Sequence, residues 1–134
     1  MVPIFDTFFM EMSNVCETKD ILNEELFAKM LTAATQAIQN LVGAKLGDKT
    51  LLDTLIPANE AFSQAVVSGK NFKEALLQMK TAAVKGKKST HSLIARIGRA
   101  CRLGERSRGV LEAGATSCDL ILQSLADLII QLID

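Results

Sequence analysis

The recurrence that most limits the fold lies between Asn23 and Gly43. There Phe27, Met30, Leu31, Ala34, Ile38 and Leu41 return every three or four residues, a spacing that lines one face of an α-helix and scatters over both faces of a strand. Asn23 suits the N-cap, Glu24 and Glu25 complement the positive helix end, and Gly43 stops the pattern. The same reading predicts a helix over 4–15 opened by Pro3 and one over 49–67 capped by Asp48. It also predicts one over 72–84 from the pair Asn71 and Glu74, one over 87–103, and a last one starting at Thr116 or Ser117, so apolar that most of its circumference is buried. Pro57 predicts a kink in the third and Gly86 an interruption after the fourth. Aromatic residues make up only 4% of the chain and all are Phe, so no segment asks to be a strand. The expected fold is all-α: an antiparallel bundle of about six helices, with residues 1–134 forming one domain.

Fifteen basic and fifteen acidic groups cancel, unlike a dedicated nucleic-acid binder. Residues 80–108 nevertheless carry +8, with no aromatic among them to stack on a base, so no nucleic-acid partner is expected. Cys16, Cys101 and Cys118 with one His make no metal-ligand set, and free thiols fit the cytoplasm. Residues 2–12 lack a basic leader and contain Asp6 and Glu11. The apolar run 120–133 is broken by Gln123, Ser124, Asp127 and Gln131 and reads as too short and too polar for a bilayer, so no membrane partner is expected. His91 reads as a surface or boundary residue, and Lys49 and Asp53 as an ordinary i,i+4 ion pair.

Two glycine-bearing loops, 43–50 and 109–117, each lead to a helix N-terminus, where unpaired N–H groups favour an anion. Between them Arg96, Arg99, Arg102 and Arg106 fall on one helical face, opposite Leu93, Ile94, Ile97, Ala100 and Cys101. Guanidinium groups suit phosphate oxygens, so these pieces suggest a phosphorylated ligand; on spacing alone helix-ending glycines and a solvated basic face are the better account of them.

Longer stretches narrow the choice. The run G-A-K-L-G-D-K-T-L-L-D from Gly43, the run A-R-I-G-R-A-C-R-L-G-E-R-S-R-G from Ala95, and G-A-T-S from Gly114 closely resemble the nucleotide-binding L subunit of dihydroxyacetone kinase. P-I-F-D-T-F-F from Pro3 is also similar to a helix start in the middle of that family's domain, so the resemblance covers essentially the whole chain. It implies an eight-helix antiparallel barrel, here incomplete, holding ADP or ATP with magnesium at one end around an apolar pocket. It also implies phosphoryl transfer to dihydroxyacetone on a separate substrate-binding subunit. In phosphotransferase-system versions a third subunit recharges the resident ADP from phosphoenolpyruvate. By this resemblance Gly43 and Leu51, where the family usually has Met, border the adenine, Arg99 reaches the phosphates, and Gly114 lines the nucleotide end.

The chain departs from the family at Val110, Leu111, Glu112 and Ala113, where a His followed by Asp-Pro-Gly is usual, and at Arg102, where Tyr is usual. The family's leading part, with three magnesium-binding aspartates and a Gly-rich phosphate loop, would lie before Met1. Phosphoryl transfer needs metal ions to neutralise developing charge, so this chain alone is expected to be inactive, with magnesium bound only if that segment is supplied. No catalytic or metal residue is therefore assigned. An incomplete bundle also leaves apolar faces uncovered, which predicts self-association into a homo-oligomer. The competing expectation is a non-catalytic all-helical module that binds a partner helix or lipid.

Overall fold

The periodic segments form five α-helices in the computed structural model, which describes residues 4–18, 21–43, 45–93, 109 and 112–133. They are α1 Ile4–Cys16, α2 Glu24–Val42, α3 Leu52–Val67, α4 Phe72–Ser89 and α5 Ala113–Ile133, with one 3₁₀ turn, Thr90–Ser92, after α4. No strand occurs among the described residues. Both expected asparagine caps form: Asn23 Oδ1 accepts the Leu26 N–H and Asn71 Oδ1 accepts the Glu74 N–H, each at 2.8 Å. Gly43 closes α2 with a φ of 69°, a left-handed conformation that costs glycine nothing.

Side-chain contacts fix the helix directions. Gly86 near the end of α4 meets Asp53 and Thr54 at the start of α3, so these two run antiparallel and almost touch through their backbones. Lys87 pairs with Asp119 at 3.0 Å and Lys80 pairs with Asp127, which sets α5 antiparallel to α4. Thr54 Oγ1 donates to the Ala115 carbonyl at 3.2 Å, joining the starts of α3 and α5. The end of α2, the starts of α3 and α5 and the end of α4 therefore gather at one pole. The opposite pole is filled by Phe27, Phe62 and Phe72, whose rings lie 5.0 to 6.1 Å apart. Between the poles Leu31, Ile38, Leu55, Leu76, Met79 and Leu122 are fully buried and tie four helices into one core.

Several boundaries differ from expectation. α4 passes through Gly86 to Ser89, because Gly86 is where α3 lies too close for any side chain. The predicted helix over 87–103 thus does not begin at Lys87: 87–89 end α4, a 3₁₀ turn follows, Leu93 is extended, and the remainder lies outside the described residues. α3 starts at Leu52 and remains one helix across Pro57. α5 begins at Ala113, before the expected caps Thr116 and Ser117.

α5 also buries less than its composition suggests. Ala115, Cys118, Asp119, Leu122, Ala126 and Ile129 face inward, while Leu120, Leu128 and Leu132 are 61%, 54% and 74% exposed. Starting at Ala113, it is, by length and composition, long and apolar enough to cross a bilayer, which corrects the reading of 120–133 as too short. Here its inner face carries the buried Asp119, matched by Lys87 and by the Gln123 amide at 3.0 Å.

The two described cysteines, Cys16 and Cys118, are free thiols. Cys118 is buried on α5, and burial first, then the charges of Asp119 and Glu112, push its thiol up to about 12. Only the thiolate alkylates, so at pH 8 iodoacetamide is expected to modify Cys118 only once the chain is unfolded, and Cys16 in the folded state. Peptide mapping that finds Cys118 alkylated in the folded protein as fast as Cys16 would refute this.

Candidate functional site

The pole where four helix ends meet is organised by one carboxylate. Asp53, 2% exposed, accepts the Gly47 N–H at 2.6 Å and the Thr50 N–H at 2.9 Å, pinning the loop after α2 onto the first turn of α3. Thr50 Oγ1 in turn accepts the Leu52 N–H at 3.1 Å, so Thr50 and Asp53 together fix the turn that enters α3, whose N-cap residue Leu51 makes no side-chain cap bond. This corrects Asp48 as the α3 cap: its carboxylate stays within the loop and accepts the Lys45 N–H at 3.1 Å. It also removes the premise of an i,i+4 helical pair between Lys49 and Asp53. Lys49 precedes the helix, has a φ of 62° and sends Nζ to the Leu93 carbonyl at 3.2 Å.

The start of α5 is built on Glu112. Its side chain accepts the Ala115 N–H at 2.6 Å, and its own N–H reaches Thr90 Oγ1 at 3.0 Å. Thr90 Oγ1 donates to the Lys87 carbonyl at 2.6 Å, and the Gly109 N–H donates to the His91 carbonyl at 2.6 Å, so the end of α4 and the approach to α5 are knotted together. His91 itself is exposed on the 3₁₀ turn, as expected of a surface residue.

Leu51 and Gly114 lie side by side at this pole: a Cβ added at Gly114 would sit 3.5 Å from the Leu51 Cβ and 2.9 Å from a Glu112 carboxylate oxygen. Gly43, at the end of α2, opens the loop that returns through Asp53 to Leu51. Arg99 and the other arginines of its stripe lie outside the described residues. An open cleft of about 330 Å³ adjoins the loop between α3 and α4, walled by Leu46, Gly47, Pro57, Lys85, Ser89 and Leu93. Neither Gly43, Leu51 nor Gly114 lines it.

The carboxylates here are occupied by backbone amides and do not converge. Among the described residues no three His, Cys, Asp or Glu side chains group as metal ligands, so a magnesium ion does not fit this donor set. Thr50 and Thr90 escaped the sequence reading, and Lys49, Asp53 and Glu112 entered it only as an ion pair and a departure from the family pattern. Only Thr50 and Asp53 carried a local signal, the T-x-x-D spacing of a capping box.

The family model described as DAK2 domain matches residues 1–127. The chain is 32% identical over 124 residues to the ADP-binding subunit DhaL of the PEP-dependent dihydroxyacetone kinase of Escherichia coli, covering 92% of this chain and 59% of that protein. It is 30% identical over 125 residues to the ADP-binding subunit DhaL of PEP-dependent dihydroxyacetone kinase 2 of Listeria innocua, covering 93% and 57%. It is also 39% identical over 93 residues to an L-erythrulose kinase of Pectobacterium atrosepticum, covering 69% of this chain and 16% of that protein. The chain thus spans less than three-fifths of the DhaL subunits it matches. With the match running from α1 into α5, the chain belongs to the DAK2 domain family.

Proposed function

We propose that this chain holds ADP or ATP for a dihydroxyacetone kinase of the phosphotransferase type, at the pole where α3 and α5 begin. The observation that carries this reading is the juxtaposition of Leu51 and Gly114, in a chain similar to subunits described as ADP-binding. In this reading Gly43 and Leu51 border the adenine, Gly114 lines the nucleotide end next to Leu51, and Arg99 contributes a guanidinium to the phosphates. At this pole Asp53 and Glu112 already serve backbone amides, so a magnesium ion neutralising phosphate charge would be held by other groups of the kinase. The partners are a substrate-binding subunit and a phosphoryl-donor subunit in the cytoplasm. The acceptor is a small ketose, the class that the names of the dihydroxyacetone and erythrulose kinase relatives share.

Calorimetric titration with ADP, with and without magnesium, tests the reading. Saturable binding at a stoichiometry near one is expected, tighter with the metal; absence of binding at millimolar ADP in both conditions overturns it. The apolar groove lined by Phe9, Leu120, Ile121, Leu125 and Leu128 between α1 and α5 favours a second reading, a helix- or lipid-binding module. Failure with ADP combined with saturable uptake of a fatty acid would favour that one.

A further inference from the structure

We infer that Lys49 is a positioning residue of the nucleotide pole, a cross-brace that holds the exit of α4 at Leu93 against the start of α3. The inference deepens the proposed function and rests on it.

Three observations converge on this side chain. Lys49 is only 3% exposed, unusual for a lysine, whose long stem and charge normally keep it in water. It is the one described non-glycine residue with positive φ, at 62°, and lysine has no side-chain group that eases the left-handed conformation as Asn or Asp does. Such a backbone persists only where its surroundings hold it. The ammonium donates to the Leu93 carbonyl at 3.2 Å, 44 positions along the chain.

Desolvation holds that ammonium below its ordinary range, while the negative charge of Glu112 favours its charged form. Glu112 in turn caps α5 next to Gly114 and bonds Thr90 Oγ1. Leu51 follows Lys49 by two residues, so one buried cation ties the exit of α4 to the stretch that carries Leu51, and Thr90 at that exit in turn bonds the Glu112 N–H beside Gly114. Without the ammonium, the Leu93 carbonyl loses its donor and Glu112 loses a favourable positive charge. The start of α5 is then free to shift relative to Leu51.

Lys49→Met keeps the stem and the left-handed strain; Lys49→Gly removes both. If Lys49 served stability alone, ADP affinity would follow stability and the glycine variant would bind better than the methionine one. Positioning by the ammonium instead predicts that both lose at least tenfold in ADP affinity, although Lys49→Gly melts higher than Lys49→Met. It also predicts that amide exchange at Gly109 and Glu112, whose N–H groups close the two junctions, accelerates at least tenfold relative to the core amide of Leu76. Lys49→Gln, which keeps a donor for Leu93 without the charge, is expected to show the same losses and stands in if the others do not melt cooperatively. ADP binding within threefold of the parent, or unchanged relative exchange at both amides, overturns the brace. Failure of the parent chain to bind ADP overturns the nucleotide reading instead, and exchange alone then decides the brace.

Discussion

Gly86→Ala is expected to destabilise the protein by about 3 kcal/mol and to lower Tm by roughly 10 °C, the upper range for overpacking a core in a domain of this size. The sign is informative, because in an ordinary helix interior the same change stabilises by about 1 kcal/mol through reduced backbone entropy. At Gly86 a Cβ would overlap the Asp53 carbonyl oxygen and lie 3.0 Å from the Thr54 Cα, both backbone atoms that no rotamer change can move. That carbonyl is available for so close an approach because Pro57, four residues on, has no N–H to offer it. α3 and α4 would have to separate, opening the interface that buries Leu55, Leu76 and Met79. Gly69→Ala provides the contrast: nothing lies within 4 Å of a Cβ there, and only its φ of 84° penalises alanine, by about 1 kcal/mol. Thermal melts in which Gly86→Ala equals or exceeds the parent would show that the two helices are not in backbone contact.

The close approach at Gly86 also marks where a sequence reading stops. Caps whose partners lie three residues away, Asn23 with Leu26 and Asn71 with Glu74, were legible because the bond is local. So was the helical class, since each core face repeats within its own segment. The end of α4 was not, because Gly86 reads as a breaker until α3 lies against it. The start of α5 was not, because Glu112 is fixed by Thr90, 22 residues earlier. In the candidate site the division is the same. Gly43, Leu51 and Gly114 were found through resemblance of long runs, whereas Lys49 depends on Leu93 and shows no local periodicity. α5 misled in the other direction: composition reports how apolar a helix is, and only packing reports that Leu120 and Leu132 stay mostly exposed.

Asp53→Ala is the second change with a large expected effect, about 3 kcal/mol, from removing a charged acceptor that serves two amides, each such bond being worth about 1.5–3 kcal/mol. The carboxylate is the sole tie, among the hydrogen bonds described, between Gly47 and the first turn of α3, and its loss leaves the Gly47 and Thr50 N–H groups to find water or go unpaired. Asp53→Asn keeps the shape but turns an NH₂ towards one of those donors, so it should fall between the parent and Asp53→Ala. Asp48→Ala, which removes a single bond to the Lys45 N–H inside the loop, is expected to cost about 1 kcal/mol. This order, Asp53→Ala worst, then Asp53→Asn, then Asp48→Ala, is opposite to what the sequence alone suggests, where Asp48 is the cap and Asp53 a surface partner of Lys49. Because the loop that Asp53 holds runs from Gly43 to Leu51, ADP affinity should fall more steeply in Asp53→Ala than in Gly69→Ala, whose glycine follows α3 on the far side from that loop. Urea titration giving Asp48→Ala the larger loss would return the cap to Asp48 and detach the loop from α3.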